Sequence, residues 1–153
     1  MNDVLTEKII GCAINVHKAL GPGLLENAYK QCLFHKLVKE GLCVEKEKEM
    51  PVYFEDIEMD CGYRIDLLVE NKLVIEVKSV KTLDDIHLAQ ILTYLKLGNF
   101  QHGLLINFNV KLLIDGIQRV VNKHYKPTTE NGSIVNSISV PSVSSVVKNI
   151  CST

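Results

Sequence analysis

One stretch of the chain, RIDLLVENKLVIEVKSV (residues 64–80), constrains the fold more than any other. It contains two apolar runs of strand length on either side of Asn71, and this pattern predicts a β-hairpin. Asp66, Glu76 and Lys78 nevertheless interrupt the apolar runs. A charge in a buried strand costs free energy unless it is paired or binds a metal ion. These three residues therefore lie either on a solvent-exposed face or in a functional site.

The length of the loop between the two strands decides whether the carboxylates meet. A two-residue turn at residues 71–72 would pair Asp66 with Val77 and leave the carboxylates on opposite faces of the sheet. A three-residue loop at residues 70–72 pairs Asp66 directly with Glu76, and a bulge could do the same. A shared site therefore requires an odd-length loop or a bulge.

Two carboxylates side by side need a physical explanation, because like charges directly opposite one another destabilise a sheet. A divalent cation reverses this effect, since Mg²⁺ prefers oxygen ligands in octahedral geometry. Asp66 and Glu76 would then hold Mg²⁺ or Mn²⁺, and Lys78 could orient a water molecule or stabilise developing charge. Glu-x-Lys is also a common solvent-exposed face of a strand, and these three residues alone leave both readings open.

The remaining patterns predict an α/β (α+β) sandwich with its elements in the order α-α-β-β-β-α-β-β. Apolar residues at helical spacing predict helices over residues 4–20, 24–40 and 83–97. Besides the two runs around Asn71, strands are predicted at residues 42–59, 102–109 and 116–122. The first of these predicted strands lies at an edge of the sheet, and Pro51 interrupts it.

Composition places the chain among ordinary globular proteins, with 46% hydrophobic and 23% charged residues in a length of 153. This length suits one domain with its own core, which we place at residues 1–125. Residues 126–153 are rich in Ser, Val, Thr and Asn and carry few charges. We expect a poorly ordered extension there, with an added strand that packs against a partner as the alternative.

No segment predicts secretion or membrane insertion. Apolar runs such as HGLLINFNV are too short to span a bilayer, and the first ten residues contain acids where a secretion signal needs a basic start. We therefore expect a cytoplasmic protein with no membrane partner. The cysteines and histidines lack zinc-ligand spacing. The net charge of −1 argues against a broad DNA-coating surface but allows a local groove that grips nucleic acid.

Two helical stretches contain further candidate residues. In IHLAQILTYLK, helical spacing puts His87, Gln90 and Tyr94 on one side, and a Gln in such a helix needs a hydrogen-bond partner. In GPGLLENAYKQC, Glu26 and Tyr29 share a face at the start of a helix. Taken singly, each has an ordinary explanation: a capped amide, a carboxylate that complements the helix dipole, and a core tyrosine.

Together these stretches resemble the GxxExxY family, which is assigned to the PD-(D/E)XK nuclease superfamily. The resemblance covers residues 4–122 and includes, in the same order, VHKALGPG, GLLENAY, GYRIDLLVENKLVIEVKSV, HLAQILTYLKL and GLLINFN. It implies a restriction-endonuclease-like mixed sheet flanked by helices. Ile65 stands where the superfamily's name has proline.

The resemblance also implies roles for individual residues. The implied metal ligands are Asp66, Glu76, the Val77 carbonyl oxygen and Glu26, the last either directly or through water. The implied catalytic residues are Asp66, Glu76, Lys78, Gln90 and Tyr94, of which Lys78 is the catalytic lysine and the last two position the site or the nucleic-acid strand.

The expectation is therefore a nuclease that depends on Mg²⁺ or Mn²⁺ and hydrolyses phosphodiester bonds in DNA, with RNA as the alternative substrate. The alternative is a non-catalytic module that keeps the nuclease fold and binds nucleic acid or protein. A third reading is a structural subunit whose Ser/Val-rich tail docks on a partner. A homodimer is compatible with the sequence.

Overall fold

The structure is a computed structural model and describes residues 3–128. The helices are α1 (Val4–Leu20), α2 (Glu26–Lys39) and α3 (Asp85–Leu97), and a short 3₁₀ helix spans Leu113–Gly116. The strands are β1 (Val44–Glu49), β2 (Val52–Phe54), β3 (Ile57–Met59), β4 (Arg64–Val69), β5 (Leu73–Lys78), β6 (His102–Asn107) and β7 (Ile117–Val121).

Five strands form one mixed sheet in the order β1-β4-β5-β6-β7. Strands β5 and β6 are parallel and the other neighbours are antiparallel. Parallel neighbours need a crossover connection, and α3 supplies it. The predicted α/β class is confirmed, and β1 lies at an edge of the sheet as predicted.

The two faces of the sheet pack against different helices. One core cluster joins α1 and α2 to the sheet through residues such as Ile9, Tyr29 and Ile75. The other joins α3 to the opposite face through residues such as Ile91 and Val74. The strands are therefore covered on both sides, which explains why β5 is buried along its whole length.

Local sequence signals explain where α1 begins and ends and where α3 begins. The Thr6 N–H donates to the Asp3 carboxylate over 2.6 Å at the start of α1, which satisfies one of the free N–H groups of the first turn. Gly21 ends that helix with a φ of 68°, a left-handed conformation that favours glycine. At the start of α3, Asp84 and His87 form a reciprocal capping box.

Residues 42–59 differ from the single interrupted strand that the sequence predicts. Strand β1 ends before Pro51, and β2 and β3 then form a separate antiparallel hairpin. Its turn residues Glu55 and Asp56 have φ values of 50° and 61°. Such turns favour Asn and Gly, so an acidic pair gives little warning of a hairpin.

Two other expectations concern the limits of the domain. Residues 129–153, which make up most of the predicted C-terminal extension, lie outside the described residues. Within residues 3–128, no helix combines the length and hydrophobicity that crossing a bilayer requires.

Two glycines offer a matched test of the packing. Gly116→Ala should lower the free energy of unfolding by about 1–3 kcal/mol, because the new Cβ would collide with the Asn107 carbonyl oxygen. Gly11→Ala should raise it by about 0.5–1 kcal/mol, because Gly11 is in the middle of α1 with open space around the new Cβ. Urea unfolding measures both effects, and equal changes in the two variants would contradict this packing.

Candidate active site

The loop between β4 and β5 has the length that a shared carboxylate site requires. Val69 pairs with Leu73, so residues 70–72 form a three-residue loop. Glu70 and Asn71 adopt left-handed φ values of 53° and 52°, and the Lys72 N–H closes the loop on the Val69 carbonyl oxygen at 3.0 Å. Continued beyond its last pair, Leu67 with Ile75, this register puts Asp66 opposite Glu76.

Regular strand pairing gives way at Asp66. The Val77 N–H donates to the Asp66 carboxylate over 2.8 Å, so a side chain takes a hydrogen bond from the strand backbone. On the other edge of β4, the pairs to either side of Asp66 are Lys46 with Leu67 and Lys48 with Ile65. The residue between those two lysines, Glu47, has a φ of 55°.

The side-chain alternation of β4 also breaks at this point. Leu67 and Val69 pack in the cluster under α1 and α2, and strict alternation would place Ile65 with them. Ile65 instead packs in the cluster under α3, beside Leu68. The irregularity turns the Asp66 carboxylate toward β5 and α2 at once.

A lysine of α2 holds the other oxygen of Asp66. The Lys30 ammonium lies 3.3 Å from Asp66 and 3.1 Å from Glu47. Burial opposes the charge on Lys30, but the two carboxylates outweigh it and raise the pKa of Lys30. Sequence reasoning missed Lys30, although it follows Glu26 by four residues and therefore shares its helix face.

Glu76 is the most deeply buried acid of the group, with 2% of its surface exposed. One carboxylate oxygen accepts from the Lys78 ammonium at 3.0 Å, and the other is buried without a hydrogen-bond partner. Burial raises the pKa of Glu76 to about 7, and the negative charges of Asp66 and Glu26 add to the effect while Lys78 opposes it. A second cation would relieve both the unpaired oxygen and the repulsion.

Lys78 stays charged in this environment. Burial alone would lower its pKa, but the carboxylates of Glu76, Glu26 and Asp66 outweigh burial and raise it. An ammonium group thus lies beside the two strand carboxylates.

Tyr29 fixes the start of α2 against the end of β5. Its ring stacks on Phe108 with centroids 4.5 Å apart, and its hydroxyl donates to the Gly21 carbonyl oxygen and accepts from the Leu24 N–H. The Ser79 hydroxyl in turn donates to the Leu24 carbonyl oxygen over 2.7 Å. These bonds hold the residues just before Glu26 against the residue that follows Lys78.

The candidate residues of α3 lie on the face of the sheet opposite α1 and α2. The Gln90 amide donates to the Tyr94 hydroxyl over 3.3 Å. Burial raises the pKa of Tyr94, the Gln90 bond opposes the rise, and the charges of Glu76 and Asp66 add to it. Gln90 and Tyr94 line a cleft of about 310 Å³, which Tyr63, Ile86 and His87 also border.

The chain matches the model of a known protein family. Residues 3–120, which make up most of the chain, match the model of the PD-(D/E)XK nuclease superfamily. The chain belongs to the PD-(D/E)XK nuclease superfamily. No curated protein and no solved structure matches it. The mixed sheet flanked by helices is the restriction-endonuclease-like fold expected of a PD-(D/E)XK protein.

Most of the predicted site residues come together in this PD-(D/E)XK chain. Asp66, Glu76 and Lys78 interact directly or electrostatically, and the charge of Glu26 reaches both Glu76 and Lys78. Val77 contributes its N–H to Asp66, whereas the role proposed for its carbonyl oxygen stays a prediction.

Asn107 is a second residue that sequence reasoning missed. It lies beside Lys78 in the β5–β6 register and is 2% exposed. Its amide accepts from the Val80 N–H at 3.0 Å and donates to the Val80 carbonyl oxygen at 2.9 Å. This pair of bonds fixes the chain as it leaves the lysine. The available signal was a polar residue within the apolar run LLINF.

PD-(D/E)XK nucleases typically use divalent metal ions, and the donor chemistry of this site fits them. The unpaired buried oxygen of Glu76 and the adjacent carboxylate of Asp66 are ligands that Mg²⁺ and Mn²⁺ accept. Between residues 3 and 128, no three His, Cys, Asp or Glu side chains already form a cluster suited to a metal ion. Glu26 would therefore complete the ligand set through a water molecule or after moving closer.

Glu76 makes the stability of the metal-free protein depend on pH. Its pKa is about 7 in the folded state against an ordinary value of 4.5, so the folded state binds its proton more tightly. The free energy of unfolding should therefore fall by about 3 kcal/mol as the pH rises from 4.5 through 7. Urea unfolding at pH 5 and pH 8 measures the fall, which Glu76→Gln should largely remove and Glu58→Gln, at an exposed position, should preserve.

Lys30 and Lys36 provide a matched pair of substitutions on α2. Lys30→Met should lower the free energy of unfolding by about 2–3 kcal/mol, because it leaves the buried Asp66 carboxylate without its cation. Lys36→Met breaks only a more exposed i,i+4 pair with Glu40, worth about 0.5 kcal/mol. If chemical denaturation finds the two losses equal, the Lys30–Asp66 contact does not stabilise the fold as described.

Proposed function

We propose that this PD-(D/E)XK chain is a metal-dependent nuclease of the GxxExxY type that hydrolyses phosphodiester bonds in DNA, with RNA as the alternative substrate. The observation that carries the proposal is the arrangement of Asp66, Glu76 and Lys78 where the pairing of β4 with its neighbours gives way. Buried strand charges are costly, and the unpaired Glu76 oxygen adds to that cost. A metal-binding catalytic site accounts for both.

Each residue has a defined part in the proposed reaction. Asp66, Glu76 and Glu26 would hold Mg²⁺ or Mn²⁺, with the Val77 carbonyl oxygen as a further ligand. When bound, the cation supplies positive charge that polarises a phosphate and activates water. The Lys78 ammonium stabilises the negative charge that develops on the phosphate during attack.

Two residues of α3 complete the proposed site. The amide of Gln90 and the hydroxyl of Tyr94 are already joined by a hydrogen bond. They present donors and acceptors beside the carboxylates, where they would position the site or the nucleic-acid strand. Tyr29 and Asn107 would act indirectly, because they hold in place the chain segments that flank Glu26 and Lys78.

Purified protein should cleave DNA oligonucleotides when Mn²⁺ or Mg²⁺ is present, and Lys78→Ala should reduce the rate at least 100-fold, in line with the loss of a charge-stabilising group. The control is Lys81→Ala, an exposed lysine three residues along, which should cleave at nearly the wild-type rate. Gel analysis of end-labelled DNA measures all three proteins. Equal cleavage by wild type and Lys78→Ala would trace the activity to a contaminant.

The rival proposal is a non-catalytic member that keeps the fold and binds nucleic acid or protein. The observation in its favour is that lysines already neutralise both strand carboxylates, Lys30 at Asp66 and Lys78 at Glu76. Metal titration separates the two proposals, because a ligand that binds only the native state must stabilise it. A nuclease should melt at a higher temperature in Mn²⁺, and Asp66→Asn should abolish that shift; the rival expects no shift in either protein. A cytoplasmic location and a homodimer stay predictions.

A further inference from the structure

The cleft beside α3 contains features that the hydrolytic chemistry does not use. Tyr63 precedes β4, is 46% exposed, and meets Tyr94 edge to face with ring centroids 6.4 Å apart. Ile86 is 71% exposed at the start of α3. Both border the cleft of about 310 Å³, a volume at the lower end of ordinary ligand pockets. The cleft therefore suits one small planar group.

Polar groups along the same cleft can form specific hydrogen bonds. The Nδ1 atom of His87 accepts from the Asp84 N–H over 2.9 Å, so the neutral ring carries its proton on Nε2 as a donor. The amide of Gln90 uses one N–H on Tyr94, and an amide has one further donor and an acceptor oxygen. Apolar and aromatic surface next to a few such groups matches a nucleobase, which combines a flat face with a polar edge.

The position of the cleft connects it to the carboxylates. Tyr94 lines the cleft, and the charges of Glu76, Asp66 and Lys78 all act on its hydroxyl. Tyr63 contacts Tyr94 edge to face, so a nucleotide with its phosphate at the carboxylates would extend its base past Tyr94 toward Tyr63. Bases that remain paired and stacked in a duplex do not expose a face to such a ring.

We propose that the cleft is a base-binding subsite in which Tyr63 stacks on an unpaired nucleobase next to the phosphate that is cleaved, while His87 and Gln90 contact the edge of that base. The inference rests on the proposed nuclease function and extends it to a substrate class: single-stranded nucleic acid, or the frayed end of a duplex. Tyr63 is then a binding and specificity residue, distinct from the groups that act on the phosphate.

The test measures binding and cleavage separately. A fluorescein-labelled 12-nucleotide DNA strand, alone or in a blunt duplex, is titrated with full-length Lys78→Ala protein in Mg²⁺, and anisotropy gives the Kd. The double variant Lys78→Ala/Tyr63→Ala should bind the single strand about tenfold or more weakly than Lys78→Ala does, which is the usual effect of losing one stacked base. Duplex binding should change less than twofold. Tyr63→Phe should keep the wild-type preference, because phenylalanine retains the stacking face.

Tyr125→Ala is the matched control, since it removes the same side chain near Asn122, beyond the C-terminal end of α3 and outside the residues that line the cleft. It should leave both Kd values unchanged. If the Lys78→Ala protein binds the single strand equally well with and without Tyr63→Ala, the subsite is overturned. The cleft would then suit another occupant, such as a side chain of a protein partner. An equal loss in Tyr63→Phe and Tyr63→Ala would also overturn it, because the hydroxyl and not the ring face would then matter.

The outcome for the subsite is separable from the outcome for the nuclease. Metal-dependent cleavage that Lys78→Ala abolishes, together with unchanged binding in Tyr63→Ala, overturns the subsite alone. Selective loss of single-strand binding in Tyr63→Ala, together with no cleavage by the wild type, supports the subsite and overturns the nuclease.

Discussion

The hydrogen bond from the Val77 N–H to the Asp66 carboxylate is the interaction on which the site depends. A buried carboxylate must be hydrogen-bonded, and a buried strand N–H must find an acceptor. At this point each satisfies the other, so β4 and β5 can separate without leaving an orphan donor. The separation lets one acid join the backbone of β5 while its neighbour Glu76 remains incompletely paired.

Two carboxylates and two ammonium groups surround that bond, and they come from two strands and one helix. Strand β4 supplies Asp66, and β5 supplies Glu76 and Lys78. Helix α2, which packs on one face of the sheet, supplies Lys30. Each ammonium pairs with one of the two strand carboxylates, Lys30 with Asp66 and Lys78 with Glu76, and Lys30 also contacts Glu47. The two ion pairs offset the cost of burying the carboxylates, and under the proposed function Asp66 and Glu76 would also supply oxygen ligands to a metal ion.

The sequence alone was sufficient for the regular elements and for the strand charges that lie together in the candidate site. Periodicity located all three helices and the five strands of the main sheet, and it reduced the connection between β4 and β5 to a two-residue turn, a three-residue loop or a bulge. It could not choose between them, because Glu70 has no preference for the left-handed φ that the longer loop requires. Lys30 and Asn107 were missed because their partners, Asp66 and Val80, lie 36 and 27 residues away and are set by packing.

The three-residue loop also influences the order in which the site assembles during folding. Short loops cost the least entropy to close, so the β4–β5 hairpin brings Asp66 and Glu76 together early. Lys78 is present from the start, but Lys30 arrives only when α2 docks. In the interval the hairpin carries two carboxylates and one ammonium, and the excess charge must be met by protons or salt ions from solution. We therefore expect the charge balance of the site to affect the rate of folding as well as the stability of the folded protein.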